Sequence, residues 1–153
     1  MEFRQLNEHD GPLFASFRCS DRNQWTRRVE NIIHHALDSA LRHDSKFTKA
    51  IGAFVDDTLV GLIAFDDSDD DVWSVLVLAT SRDHRRKGVG RDLKLELLRV
   101  ARREHVLVLA SMVHRANQAM HELNQQLGAV TLADEHDPDY LLCILTITAS
   151  NPS

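Results

Sequence analysis

Between Arg82 and Lys94 the chain carries six cations, Arg82, Arg85, Arg86, Lys87, Arg91 and Lys94, against two acids, Asp83 and Asp92. Gly88 and Gly90 stand among them. From Val89 to Arg103, Leu93, Leu97, Leu98, Val100 and Ala101 then recur at helical spacing. The first N–H groups of a helix have no acceptor inside it, and the helix dipole leaves partial positive charge at that end. Glycine lets an anion approach the backbone closely, because no Cβ intervenes. Glycines and cations at a helix start therefore read as a site for a phosphate-bearing ligand. Two common phosphate motifs do not fit. A dinucleotide fingerprint needs a third glycine where Leu93 stands. A P-loop needs Lys and Ser or Thr after its last glycine, and Gly90 is followed by Arg91 and Asp92.

The elements that must hold this loop can be read from periodicity. "MEFRQL" reads as a first strand, and "HDGPLFASFRCS" as a turn with a short helix. Apolar residues from Trp25 to Leu41 trace one face of a helix over Asn23 to His43. "KAIGAFV" and "TLVGLIAF", parted by Asp56 and Asp57, read as a hairpin. "DDSDDD" is a solvated turn: its acids lack the glycine and glutamate spacing of a calcium loop. "VWSVLVLAT" is apolar enough for a central strand, and "VLVLASMV" (106–113) is the next. "NQAMHELNQQLG" (117–128) is a helix stopped by Gly128. "AVTLA" and "YLLCILTIT" are the last strands. Strands flanked by helices, without strict alternation, predict a mixed α+β fold. One domain over 1–148 with a frayed tail at 149–153 is expected.

Composition excludes several classes. The 153 residues suit one domain, and their net charge of -5 is wrong for a general polyanion binder. No apolar run reaches the roughly 18 residues of a membrane span, and "MEFRQLNEHD" is no secretory signal. Cys19 and Cys143 form no C-x-x-C pair and read as reduced thiols, and together these features predict a cytoplasmic protein. The histidines of "IIHHAL" and elsewhere show no metal-ligand spacing, so no metal is expected.

After a strand, Arg85-x-x-Gly88-x-Gly90 resembles the pyrophosphate loop of the GNAT family of N-acetyltransferases. "LVGLIAF", "VLVLATSRDHRRKGVG" and "VHRANQAMHELNQQLGAV" follow in that family's order, and the resemblance is best over residues 50–130. It implies a central, largely antiparallel sheet of about seven strands with about four helices, strands four and five splaying apart. It implies acetyl-CoA as co-substrate and an amine as acceptor. Leu78, Ala79 and Thr80 would hold the acetyl carbonyl and the pantetheine arm. Arg85, Arg86, Lys87, Gly88, Val89, Gly90 and Arg91 would wrap the pyrophosphate. Asn117 would open the next helix near the cofactor. A homodimer through the last strands is a further family-level expectation.

The implied reaction is direct attack of a neutral amine on the thioester. A backbone N–H at Leu78 or Ala79 would stabilise the carbonyl oxygen, and no covalent enzyme intermediate is required. Here the chain departs from the family pattern. The tyrosine that often follows the leucine of this helix is replaced by Asn124, after Leu123. An amide can donate a hydrogen bond but cannot protonate a thiolate. With a thiol pKa of roughly 8–9 the thiolate can leave with only a hydrogen bond or water nearby; alternatively Tyr140, the only tyrosine, reaches the site. The family's strand-four glutamate is also missing, Ser74 standing near its place; His114 and Asp71 are the candidate bases.

Two other readings remain open. A degenerate acyl-CoA-binding or regulatory module would keep the cradle without catalysis. A nucleic-acid binder would use the same cations, but no aromatic residue lies among them to stack bases. A toxin that acetylates aminoacyl-tRNA would join the acetyltransferase and nucleic-acid readings.

Overall fold

The computed structural model describes residues 1–14, 17–18 and 48–148. The expected helix over 23–43, with Trp25 and its histidines, lies outside the described residues, as do Cys19 and the tail 149–153.

Seven strands form one sheet: β1 (Glu2–Gln5), β2 (Thr48–Val55), β3 (Thr58–Asp66), β4 (Val72–Thr80), β5 (Val108–His114), β6 (Val130–Ala133) and β7 (Tyr140–Thr146). Their order is β1-β2-β3-β4-β5-β7-β6. All neighbours are antiparallel except β4 and β5. Two α-helices are described, α1 (Val89–Arg103) and α2 (Gln118–Gln126), with 3-10 segments at Glu8–Phe14 and Arg82–His84. This is the mixed α+β architecture expected.

β2 and β3 are buried over most of their length, as unbroken apolar central strands should be. Their turn is two residues long, and Asp56 and Asp57 both take positive φ (48° and 63°). That geometry matches the strand twist, and aspartate tolerates it better than most residues. Near the N-terminus Arg4 donates two hydrogen bonds to Asp10 (2.9 and 2.8 Å), and its guanidinium lies 4.4 Å from the centre of the Phe54 ring. Arg4 holds the Asp10 carboxyl below its ordinary pKa.

α1 packs on the sheet with Val89, Leu93, Leu97, Leu98 and Ala101 buried among Ile63, Phe65, Trp73 and Leu109. Gly61 makes this approach possible: a Cβ there would come within 2.7 Å of Val89 Cγ1. A second apolar cluster, around Leu6, Phe54, Leu59 and Leu62, is also built on these strands.

Both helices end in the same way. Val106 N–H bonds to Ala101 O and His105 N–H to Arg102 O after α1. After α2, Ala129 N–H bonds to Asn124 O and Gly128 N–H to Gln125 O. These are Schellman stops, with the left-handed position taken by His105 (φ 62°) and by Gly128 (φ 89°). Gly128 meets the expectation.

Candidate functional site

β4 is where the sheet opens. Its parallel pairing with β5 runs only from Val72↔Val108 to Val75↔Ser111. Beyond Val75 the two strands part, as the resemblance implied. The partner register jumps from Ala64↔Val77 to Phe65↔Val75, so Leu76 is an extra residue in β4. Such a bulge bends its strand and reverses the facing of the residues beyond it. Trp73 and Val75 accordingly pack with α1, whereas Val77 and Ala79 pack with the second cluster.

The register also decides which backbone donors face the opening. Ser81 N–H bonds to Val60 O at 2.8 Å. Hydrogen-bonded pairs in an antiparallel ladder alternate, so with Leu62 opposite Ala79 the N–H of Ala79 belongs to the β3 ladder. The N–H groups of Leu78 and Thr80 turn toward the other edge, where β5 has diverged. Of the expected pair, Leu78 and Ala79, only Leu78 therefore turns its N–H to the opening.

The gap between β4, α1 and α2 is a cleft of about 470 Å³. From β4 it is lined by Leu78, Ala79 and Thr80, and from the loop and α1 by Arg85, Gly90 and Arg91. α2 and its cap contribute Asn117, Ala119, Met120, Glu122, Leu123 and Gln126. The loop between β4 and α1 is anchored by Ser81 on β3 and by Arg82 N–H on Arg18 O. Arg86 (φ 61°) and Gly88 (φ 79°) then turn the chain into α1, whose first hydrogen bond runs from Asp92 N–H to Gly88 O. Helix geometry leaves the N–H groups of Val89, Gly90 and Arg91 without an intrahelical acceptor. A Cβ on Gly90 would meet Thr80 Oγ1 at 3.6 Å, an ordinary contact. The glycine is therefore not demanded by packing; its bare backbone is offered to the cleft. Backbone donors, two arginines and an open strand edge suit a phosphate-bearing ligand with an extended arm.

The residues expected to bind are not all brought to the cleft. The Val89 side chain is buried against the sheet, so only its backbone can serve. Arg86, Lys87 and Gly88 are exposed on the loop outside the lining. Asn117 does line the cleft, but its Oδ1 is already used as the cap of α2, accepting from Met120 N–H at 3.2 Å.

The expected catalytic residues are placed elsewhere. Asn124 is 2% exposed and accepts a hydrogen bond from Lys94 Nζ instead of lining the cleft. His114 and Tyr140 are register partners at the far ends of β5 and β7, their rings 5.2 Å apart edge to face. His114 Nδ1 accepts from Ala116 N–H, and neither ring lines the cleft. Asp71 lies at the end of β4 opposite Thr80, where its carbonyl accepts from Leu107 and Val108. Ser74 is exposed beside Ala110.

Sequence reasoning missed Glu122 and Gln126, the polar side chains that α2 turns to the cleft. The two are four apart and so share one helix face, but that spacing alone does not say which face meets the cleft. It missed the burial of Lys94 as well, counting it among the six cations of the phosphate-binding stretch. Lys94 is 3% exposed, and burial lowers its pKa from 10.5 to about 8.

No curated protein sequence matches the chain. Among solved structures it superposes on the PaiA N-acetyltransferase of Thermoplasma acidophilum in complex with coenzyme A, with a TM-score of 0.72 and 18% identity over 95% of this chain and 99% of that one. For the aminoglycoside 6'-acetyltransferase type Ii the values are 0.75 and 15%, over 97% and 98%. For the ribosomal-protein-S18-alanine N-acetyltransferase of Escherichia coli they are 0.73 and 15%, over 99% and 97%. At these identities the likeness is one of fold. The sequence model of the acetyltransferase (GNAT) family matches residues 12–129, most of the chain and all of the cleft, and the protein therefore belongs to that family of acyltransferases.

Proposed function

We propose that the protein transfers an acetyl group from acetyl-CoA to an amine by direct attack in this cleft. The observation that carries the reading is the open edge of β4 beside the bare helix start at Gly90. In this reading the N–H groups of Val89, Gly90 and Arg91, with the Arg85 and Arg91 side chains, hold the pyrophosphate. The extended arm pairs with the edge of β4 in the gap left by β5. The Leu78 N–H faces the thioester carbonyl and stabilises the charge that grows on its oxygen. Holding amine and thioester in line supplies much of the remaining acceleration. Glu122 is the one carboxylate among the described lining residues. It can draw a cationic amine toward the cleft or accept its proton, directly or through water.

The test is calorimetric titration with acetyl-CoA of the wild type and of Gly90→Asp, followed by thiol-release assays with polyamine, aminoglycoside and peptide amines. The structure accommodates a Cβ at position 90, so this variant folds while placing a carboxylate where the pyrophosphate is held. Wild-type binding lost at least tenfold in Gly90→Asp is expected. No wild-type binding overturns the reading.

A second reading, an acyl-CoA-binding module without turnover, is favoured by one observation: among the described residues no tyrosine, histidine or cysteine lines the cleft. Tight binding with no thiol release from any amine would select it. The expected dimer through the last strands stays a proposal, consistent with Val130 and Leu132 half exposed on β6; sedimentation reads it directly.

A further inference from the structure

Lys94 and Asn124 are two of the three polar or charged residues buried among those described. They meet each other, Lys94 Nζ donating to Asn124 Oδ1. Their positions on the helices explain why. Lys94 follows Gly90 by four residues, on the same face of α1 and about 6 Å further along its axis. Asn124 follows Met120 by four residues on α2 in the same way. Gly90 and Met120 both line the cleft. The pair thus joins the two cleft-forming helices one turn further on, where both side chains are buried.

An ammonium in such a place is costly unless it is compensated. Its compensation is incomplete. α2 offers only the neutral Asn124 carbonyl, and the amide's own Nδ2 has no hydrogen-bond partner. From β7 the buried Cys143 is the titratable group whose charge is felt at Lys94. On α1 the charged cleft residue nearest in sequence is the cation Arg91, and Glu122 and Arg85 stand among the other lining residues. No carboxylate is bonded to Lys94 among the described residues. Burial accordingly favours the neutral amine, with a pKa near 8. An anion held at Gly90 would supply the missing negative charge one helical turn away.

We propose that Lys94 is a positioning residue whose protonation is coupled to the anion in the cleft: ligand binding draws a proton onto its amine and tightens the tie to Asn124 that sets α1 against α2. This rests on the acetyl-CoA reading of the cleft. The coupling follows from linkage, since a nearby negative charge favours the charged form of a lysine. Because pH 8 lies near the midpoint of Lys94, any such rise takes up a fraction of a proton per site there. Tightening follows because a charged donor makes the stronger hydrogen bond.

The experiment is calorimetry with acetyl-CoA at pH 8 in two buffers of different ionisation enthalpy, on the wild type, Lys94→Met and Lys94→Arg. The wild type is expected to take up a fraction of a proton. Lys94→Met is expected to take up none and to bind several-fold more weakly. Lys94→Arg, charged at every pH, is expected to recover affinity without proton uptake. A merely structural lysine would change affinity or melting temperature but leave proton uptake unlinked to position 94. Proton uptake absent from the wild type, or unchanged in Lys94→Met, overturns the proposal while leaving the cleft reading intact. Absence of wild-type binding overturns both. Should the single variants fail to fold, lysine NMR titration of the wild type reads the same quantity. The midpoint of the depressed lysine must rise when acetyl-CoA is added, and an unmoved midpoint is equally decisive against the proposal.

Discussion

A side chain that does not belong by composition is often the one that reveals a packing decision. Lys94 sits among leucines on the buried face of α1. Its pKa is lowered to about 8, against 10.5 for a free lysine, chiefly by burial. Below pH 8 the folded and unfolded chains both hold this proton, and the cost of the buried charge is present in full. Between about 8 and 10.5 the unfolded chain binds more protons, so this group makes stability rise with pH. The relief totals about 3 kcal/mol. Urea melts at pH 7.5 and 9.5 should show that slope in the wild type, and Lys94→Met should flatten it. Gly61 makes the opposite kind of statement, a side chain absent because a helix needs the room. Its Cβ would lie 2.7 Å from Val89 Cγ1, 3.0 Å from Leu93 Cδ1 and 3.1 Å from the Ala79 carbonyl oxygen. Gly61→Ala should cost about 1–3 kcal/mol, seen as a lower melting temperature. It should also weaken acetyl-CoA binding, because Val89 opens the helix whose first N–H groups face the cleft.

At the scale of elements, the stops and the bulge do most of the positioning. α1 ends on His105 in the left-handed region, a conformation that costs an L-residue roughly 1 kcal/mol and glycine almost nothing. His105 is exposed and its backbone hydrogen bond does not depend on the side chain. His105→Gly should therefore stabilise the fold by about 0.5–1 kcal/mol, part of the gain being lost to the freer unfolded chain. Chemical denaturation checks this, and a destabilised variant would show that the imidazole makes a contact worth more than the strain. The bulge at Leu76 acts on β4 as a whole. By inserting one residue it sends Leu78 toward α1, and the register places its N–H on the open edge.

For the whole molecule, the cleft exists because two strands part while two helices are held beside the gap. β4 leaves β5 after Val75, α1 is drawn onto β3 at Gly61, and α2 is joined to α1 through Asn124. A ligand that fills this gap binds only the folded chain. At a hundred times its dissociation constant, acetyl-CoA should add about 2.7 kcal/mol to stability. For a domain of this size that raises the melting temperature by roughly 5–10 °C. Desulfo-CoA, which keeps the pyrophosphate, should give much of that shift, and a short acyl thioester lacking the nucleotide should give little. The reverse order would move the main binding energy away from the helix start.

What the residues alone determined is whatever depends on near neighbours in the chain. Helical spacing from Val89 to Arg103, the Asp56-Asp57 turn, the Gly128 stop and the cationic glycine loop are local patterns, and each reports its own backbone conformation. The family resemblance added the largely antiparallel sheet of about seven strands and the splay between the fourth and fifth. What only the tertiary structure decided concerns residues that meet across the chain. Ala79 yields its N–H to β3 because of a strand register. Asn124 turns to a lysine thirty positions away, and Val89 is claimed by the core opposite Gly61. His114 and Tyr140 find each other instead of the cleft. Periodicity shows that a residue is buried or exposed, but the partner is chosen by register and helix packing. These are set by the sum of many distant contacts and carry no local mark.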